Sequence, residues 1–273
     1  RSSGGARCGR AGIWTPERRT DAGWGRRHGL GDTGDGWAPA APQMCGGASH
    51  VSMVFPTAKT IPVTLNMGAT MPAWFDIKGL NFSADSMDTV QAQESVDYVH
   101  RLIGQQREQG IPAGRIVVGG FSMGGNVAAK ACFSYPEPLA GCITLSTWVE
   151  PGISMPHKNV PFFVGHGAAD PMVPAQFGKS TFELLKSIGA TDVTFREYPG
   201  MGHSACDQEF KDLRLFLEDA VPEKLLTEAD VRQMSVRELK QFLLSRNVNT
   251  RTLVEKSEFI EMALSLLKAK ADL

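Results

Sequence analysis

From about residue 51 onward, short runs of consecutive apolar residues alternate with stretches whose apolar positions recur every three to four residues. The first pattern is that of strands buried on both faces, and the second is that of helices lying on a sheet. Together they predict a mostly parallel central sheet covered by helices. Candidate strands fall at 51–55, 60–65, 116–118, 139–145, 160–164 and 193–198. Between 89 and 109, Val96, Val99, Leu102 and Ile103 form a helical stripe, ended by the turn Gly110-Ile111-Pro112-Ala113-Gly114. Further helices are predicted at 124–135, stopped by Pro136, and at 174–188, closed by Gly189. A last one at 205–220 places Cys206, Phe210, Leu213 and Leu217 on one face before Pro222.

After Pro222 the strand signal disappears. Ser235 followed by Glu238 forms a capping box, in which each side chain satisfies a free backbone N–H at a helix start. Val236, Leu239, Phe242 and Leu243 give that helix one apolar face. An extended link at about 247–254 leads to a second helix from Ser257, with Phe259, Ile260, Ala263, Leu266 and Leu267. The expected organisation is a disordered or misassigned leader at 1–27, a domain at 28–221, and a linker with a small all-α helix–extended–helix module at 222–273.

Composition narrows the function classes. With 28 Lys and Arg against 29 Asp and Glu, the net charge of −1 gives no general attraction to nucleic acid or acidic membranes. No apolar run approaches the roughly 18 residues a membrane span needs. Five scattered cysteines without CxxC spacing fit reduced thiols, and hence a cytoplasmic location. The first 27 residues carry seven arginines and no lysine, a composition found in some transit peptides but here without an amphipathic face.

The chemistry centres on Gly120-Phe121-Ser122-Met123-Gly124, a G-x-S-x-G motif. The motif alone is a weak signal. Here, however, it lies between a predicted strand and a small-residue helix, the setting in which glycines permit a turn sharp enough to expose a serine hydroxyl. A serine hydroxyl attacks only when a base takes its proton and a carboxylate orients that base. Asp170 and His203 follow predicted strands, so both fall on loops at the sheet edge that carries Ser122. Asp192 begins a strand and belongs to the opposite edge. His166 precedes the acid and is read as a structural loop histidine. The glycine-rich stretch 28–34 is a candidate for the loop that supplies an oxyanion donor, since no phosphate-binding motif accompanies it.

Several segments resemble the acyl-protein thioesterase / lysophospholipase family of carboxylesterases: HGLGDTGDGW (28–37), PVTLNM (62–67), MPAWFDI (71–77), GGFS (119–122), LSTW (145–148), GHGAADPMVP (165–174) and YPGMGHS (198–204). They occur in the family's order and cover about residues 28–221. The resemblance implies the α/β-hydrolase fold, no metal and no organic cofactor, and hydrolysis of acyl thioesters or esters through a Ser122–Asp170–His203 triad and an acyl-enzyme. It also implies oxyanion N–H groups from Leu30 and Met123, and an acyl channel lined by Phe75, Leu80, Trp148 and Met172. The implied substrates are acylated proteins or lysophospholipids, reached by transient contact with a membrane surface.

Two features depart from the family pattern. Met123 stands where Gln is usual after the nucleophile, a change that leaves the backbone N–H in place. The residues before the oxyanion loop, TDAGWGRR (20–27), lack the apolar side chains of a buried parallel strand, which predicts a gap in the sheet. That gap motivates the alternative of a catalytically impaired hydrolase-fold protein acting through its tail. The tail itself resembles SAP-like (ARMET-type) modules. Its eight Lys and Arg against seven Asp and Glu over 228–273 favour a protein partner over nucleic acid.

Overall fold

The computed structural model describes residues 22–27, 29–46, 48, 50–152, 154–223, 227–244, 248–250 and 253–271. Residues 1–21 of the leader expected at 1–27, His28, and residues 247, 251 and 252 of the extended link lie outside the described residues. The apolar runs form strands β2 (Val51–Val54), β5 (Ile116–Phe121), β6 (Gly141–Leu145), β7 (Phe162–Gly167) and β8 (Val193–Tyr198), and the glycine- and arginine-containing segment Ala22–Arg27 forms β1. They make one sheet in the order β2-β1-β5-β6-β7-β8, with every pair parallel.

Side-chain alternation explains why both faces are covered. Ile116 and Val118 of β5 join one core with Cys142, Phe162 and Val164 of the neighbouring strands. Val117 and Phe121 join a second core on the other face, with Ile143, Leu145 and Phe163. A period of two sends successive residues to opposite faces, so strands apolar throughout need helices on both. The first face is covered by α3 (Thr89–Glu108) through Val96, Val99 and Ile103, by α4 (Met123–Ser134) through Val127 and Ala131, and by α5 (Gln176–Ser187) through Leu185. The second is covered by α6 (Asp207–Ala220) through Leu213 and Leu217, and by Met44 of the short α2 (Ala41–Cys45), which follows α1 (Gly34–Trp37).

Two expectations are corrected. The segment at 60–65 does not join the main sheet. β3 (Thr60–Val63) pairs antiparallel with β4 (Ala69–Pro72) in a separate hairpin, and Pro62 and Pro72 lack the N–H that a central strand must donate. The expected gap before residue 28 is also absent. Residues 22–27 form β1, paired with β2 on one side and β5 on the other, so that Gly25 lies opposite both Val54 and Val118. Side chains decide how strand-like a segment looks, whereas ladder pairing belongs to the backbone. Closing the space between β2 and β5 satisfies the N–H and C=O groups of three strands, and that outweighs a weak local strand preference.

The order of the strands creates the site. From β1 the chain moves to β2 on one side, while β5, β6, β7 and β8 succeed one another on the other. The loops leaving the carboxyl ends of β1 and β5 therefore diverge and open a crevice. Among the described residues no helix is long and apolar enough to cross a membrane.

A second compact unit begins at Glu223. It holds α7 (Glu228–Gln233), α8 (Val236–Leu244) and α9 (Lys256–Ala271) around Val231, Leu239, Phe242, Leu243, Phe259 and Ala263. The Ser235–Glu238 capping box is formed, with Ser235 N–H donating to Glu238 at 2.8 Å and Glu238 N–H to Ser235 Oγ at 3.3 Å. A second box, Thr227 with Asp230, opens α7 and was not anticipated.

The position of β1 predicts the effect of Gly25→Pro. In a strand paired on both sides the substitution removes a ladder donor, at a cost of about 1–3 kcal/mol before any steric clash is counted. Urea unfolding should show a lowered midpoint, whereas a segment lying outside the sheet would accept proline without effect.

Candidate active site

Ser122 follows the last residue of β5 and precedes the first residue of α4, so the chain must reverse within one residue. Ser122 takes φ 53° and ψ −126°, outside the regions that side-chain-bearing residues prefer, at a cost of order 1–3 kcal/mol. The surroundings hold it there. Its N–H donates to the Leu145 carbonyl at 2.8 Å. Its own carbonyl accepts from Gly125 N–H at 2.9 Å, from Asn126 N–H at 3.3 Å and from the buried Thr147 hydroxyl at 2.6 Å. Gly120 is obligatory, because a Cβ there would lie 2.2 Å from the Gly124 carbonyl group. Only glycine lets β5 and α4 approach this closely.

The loops after β7 and β8 bring Asp170 and His203 to the same place. Asp170 Oδ1 accepts the N–H groups of Met172 and Val173, each at 2.9 Å, which fixes the carboxylate in a tight turn. Asp170 Oδ2 lies 2.7 Å from His203 Nδ1, and His203 Nε2 lies 3.0 Å from Ser122 Oγ. These partners assign the tautomer: Nδ1–H donates to the carboxylate, leaving Nε2 to accept the serine proton. The His203 ring rests on Phe121 with centroids 4.6 Å apart. The arrangement can take a proton from the serine hydroxyl and stabilise the resulting imidazolium.

His166 is a separate case. It is fully buried, with Nε2–H donating to the Val173 carbonyl at 2.8 Å, and burial lowers its pKa from the ordinary 6.5, keeping it neutral. It braces the turn that carries Asp170 and does not face Ser122 through any described hydrogen bond. Asp192 precedes β8, and its carbonyl accepts from Phe162 N–H at 2.9 Å, at the opposite end of the strand from His203.

For the oxyanion loop, a Cβ on Gly29 would be 3.3 Å from Ser122 Cβ, which sets the Gly29–Leu30 backbone against the nucleophile. The next N–H groups are engaged, Gly31 with the Pro72 carbonyl and Asp32 with Gly29. Met123 is the first residue of α4, so its N–H has no carbonyl one turn earlier to bond.

The four residues expected to line an acyl channel divide. Phe75 and Trp148 are buried edge to face, with ring centroids 6.5 Å apart. Leu80 and Met172 stand about half exposed and lie outside this buried group. Phe82, 4.5 Å from Trp148, and Phe177, 4.9 Å from Phe82, complete the aromatic cluster and were missed in the sequence. No local motif marks either one; only the fold brings them to Trp148.

The phospholipase/carboxylesterase family matches residues 27–221. Acyl-protein thioesterase 1 of Emericella nidulans is 39% identical over 211 residues, covering 71% of this chain and 88% of that protein. Acyl-protein thioesterase 1 of Gibberella zeae is 40% identical over 213 residues, covering 72% and 89%. Among solved structures, Arabidopsis thaliana SOBER1 superposes with a TM-score of 0.67 at 31% identity, over 73% of this chain and 99% of its own. Zea mays acyl-protein thioesterase 2 gives 0.67 at 26% identity, over 78% of this chain and all of its own.

His166 generates a pH prediction. Its folded pKa is depressed, so below about pH 6.5 the unfolded chain takes up a proton that the native imidazole does not. The stability it confers is complete above that value and declines as pH falls through it. Between about pH 7.5 and 5.5, the melting temperature should fall more steeply for the wild type than for His166→Gln.

Proposed function

This chain belongs to the phospholipase/carboxylesterase family, and from that premise we propose that it removes fatty acyl groups from protein thioesters or lysophospholipids through an acyl-Ser122 intermediate. It is an ester or thioester hydrolase. In the proposed mechanism Ser122 Oγ attacks the acyl carbonyl carbon while His203 Nε2 takes its proton. Asp170 holds the ring and stabilises the imidazolium. The backbone N–H groups of Leu30 and Met123 receive the oxyanion, worth about 3–4 kcal/mol per donor in comparable sites. The intermediate collapses, His203 protonates the departing thiolate or alkoxide, and water then repeats the sequence on the acyl-enzyme.

The observation that carries this reading is the pair of hydrogen bonds, 2.7 and 3.0 Å, linking Asp170 to His203 and His203 to a serine on a strained elbow. The apolar cluster of Phe75, Trp148 and Phe82 supports an apolar acyl group as substrate, since Trp148 follows Thr147, whose hydroxyl bonds the Ser122 carbonyl. The acyl-protein thioesterases to which the chain is similar support the thioester class. The impaired-hydrolase alternative rested on a gap in the sheet, and β1 occupies that place. The C-terminal helices are read as a SAP-like docking module for a protein partner, in keeping with their near-neutral charge.

A fluorophosphonate probe should label Ser122, and Ser122→Ala or His203→Ala should each lower turnover of a p-nitrophenyl ester by several powers of ten. Labelling that persists in Ser122→Ala would place the nucleophile elsewhere.

The apolar wall makes a second prediction. Each methylene buried there contributes about 0.8 kcal/mol, so kcat/KM should rise from acetyl through butyryl to octanoyl esters. A flat or falling series would exclude an acyl pocket formed by these residues.

A further inference from the structure

The loop after β6 contains a buried carboxylate that the mechanism does not use. Glu150 is 8% exposed, and it is surrounded by donors. Trp148 Nε1–H donates to its Oε1 at 3.0 Å. Asn126 Nδ2 lies 3.0 Å from Oε1 and 3.2 Å from Oε2, and also donates to the Trp148 carbonyl at 3.1 Å. Lys130 Nζ pairs with Oε2 at 3.3 Å. Asn126 and Lys130 are four residues apart on α4, on one face of the helix that starts at the nucleophile.

We propose that Glu150 is a positioning residue for substrate specificity: by holding the Trp148 indole it fixes one wall of the acyl pocket and so sets the preference for longer acyl chains. The proposal rests on the acyl-hydrolase reading above. Trp148 packs on Phe82 and Phe75, and Lys130 Nζ lies 6.0 Å from the centre of the Phe75 ring. The carboxylate and its cation thus both contact the aromatic cluster. Packing alone leaves an indole free to turn about its side-chain torsions, whereas a charge-assisted N–H···O bond selects one orientation. Removing a charge from a low-exposure site would often be neutral for stability if apolar residues replaced the whole set. Its presence here is accounted for by what it orients. In the acyl reading the distal methylenes of a long chain meet the indole, whose neighbour Thr147 bonds the Ser122 carbonyl, and an acetyl group does not reach as far. Loss of the acceptor is therefore felt by long chains first.

The test compares Glu150→Met, which keeps the volume without an acceptor, with Glu150→Gln. The glutamine Oε1 can accept the indole proton, while its amide nitrogen takes the place of the oxygen that Lys130 faces. Two quantities are read: the ratio of kcat/KM for octanoyl over acetyl p-nitrophenyl esters, and hydrogen exchange of the Trp148 indole N–H by NMR, assigned by its absence from Trp148→Phe. In Glu150→Met the ratio should fall about tenfold, equivalent to losing roughly two methylene contacts, and indole exchange should accelerate. In Glu150→Gln the ratio should stay within about threefold of the wild type, with the indole still protected. An unchanged indole exchange in Glu150→Met, or an equal loss on both esters, overturns the proposal. If Glu150→Met does not fold, Trp148→Phe carries the same test, since it removes the donor and keeps an aromatic ring; an unchanged ratio there overturns the proposal. A wild-type series that is flat from acetyl to octanoyl overturns the acyl reading and this specificity role together. A rising wild-type series with an unchanged ratio in Glu150→Met overturns the specificity role alone.

Discussion

A single backbone reversal governs the rest of this molecule. Ser122 must leave a buried strand, expose its hydroxyl, and start a helix, all within one residue at positive φ. Nothing intrinsic to serine favours that conformation. It persists because three donors converge on the Ser122 carbonyl and its N–H is tied to the next strand at Leu145. Gly120 is required for the same reason, as the strand and helix nearly touch. The helix start that results gives the Met123 N–H no intrahelical partner and sets the positive helix end beside the hydroxyl. Strain, exposure and electrostatics at the site thus have one origin.

The sheet converts that local reversal into a site. Strand order changes direction between β1 and β5, so the loop after β1 and the elbow after β5 face each other across the crevice. The strands with apolar side chains on both faces, β5, β6 and β7, were legible because burial on both sides demands continuous apolar runs. β1 was not legible. Its residues are glycine, alanine, tryptophan and arginine, and its place is dictated by the unpaired edges of two other strands rather than by its own composition. The β3–β4 hairpin was misplaced for a related reason: a short apolar run does not say which partner it will find, although Pro62 and Pro72 could have excluded the centre of a sheet.

At the site, residue order was informative and contact was not. Ser122, Asp170 and His203 could be picked out because each follows a strand, and loops at one sheet edge converge whatever their separation in sequence. Trp148 and Phe75 could be picked out from motif context. Phe82, Phe177, Asn126, Lys130 and Glu150 could not, because their roles arise only when separate loops and helix faces meet. Leu80 and Met172 show the converse limit: a motif position indicates a neighbourhood, while exposure is decided by the fold of the loop around it.

The segment from Thr147 to Glu150 is fastened at both ends to the start of α4. Thr147 holds the Ser122 carbonyl, and Glu150 holds Asn126 and Lys130. Neither part can drift alone over evolutionary time. A change of Asn126 strands a carboxylate, a change of Glu150 strands an amide and an ammonium, and a bulkier residue at position 125 would strike Thr147. Descent should therefore alter these positions in concert. Exchanges at these positions should come together, so that the serine's immediate surroundings and the loop carrying Trp148 are inherited as a single block.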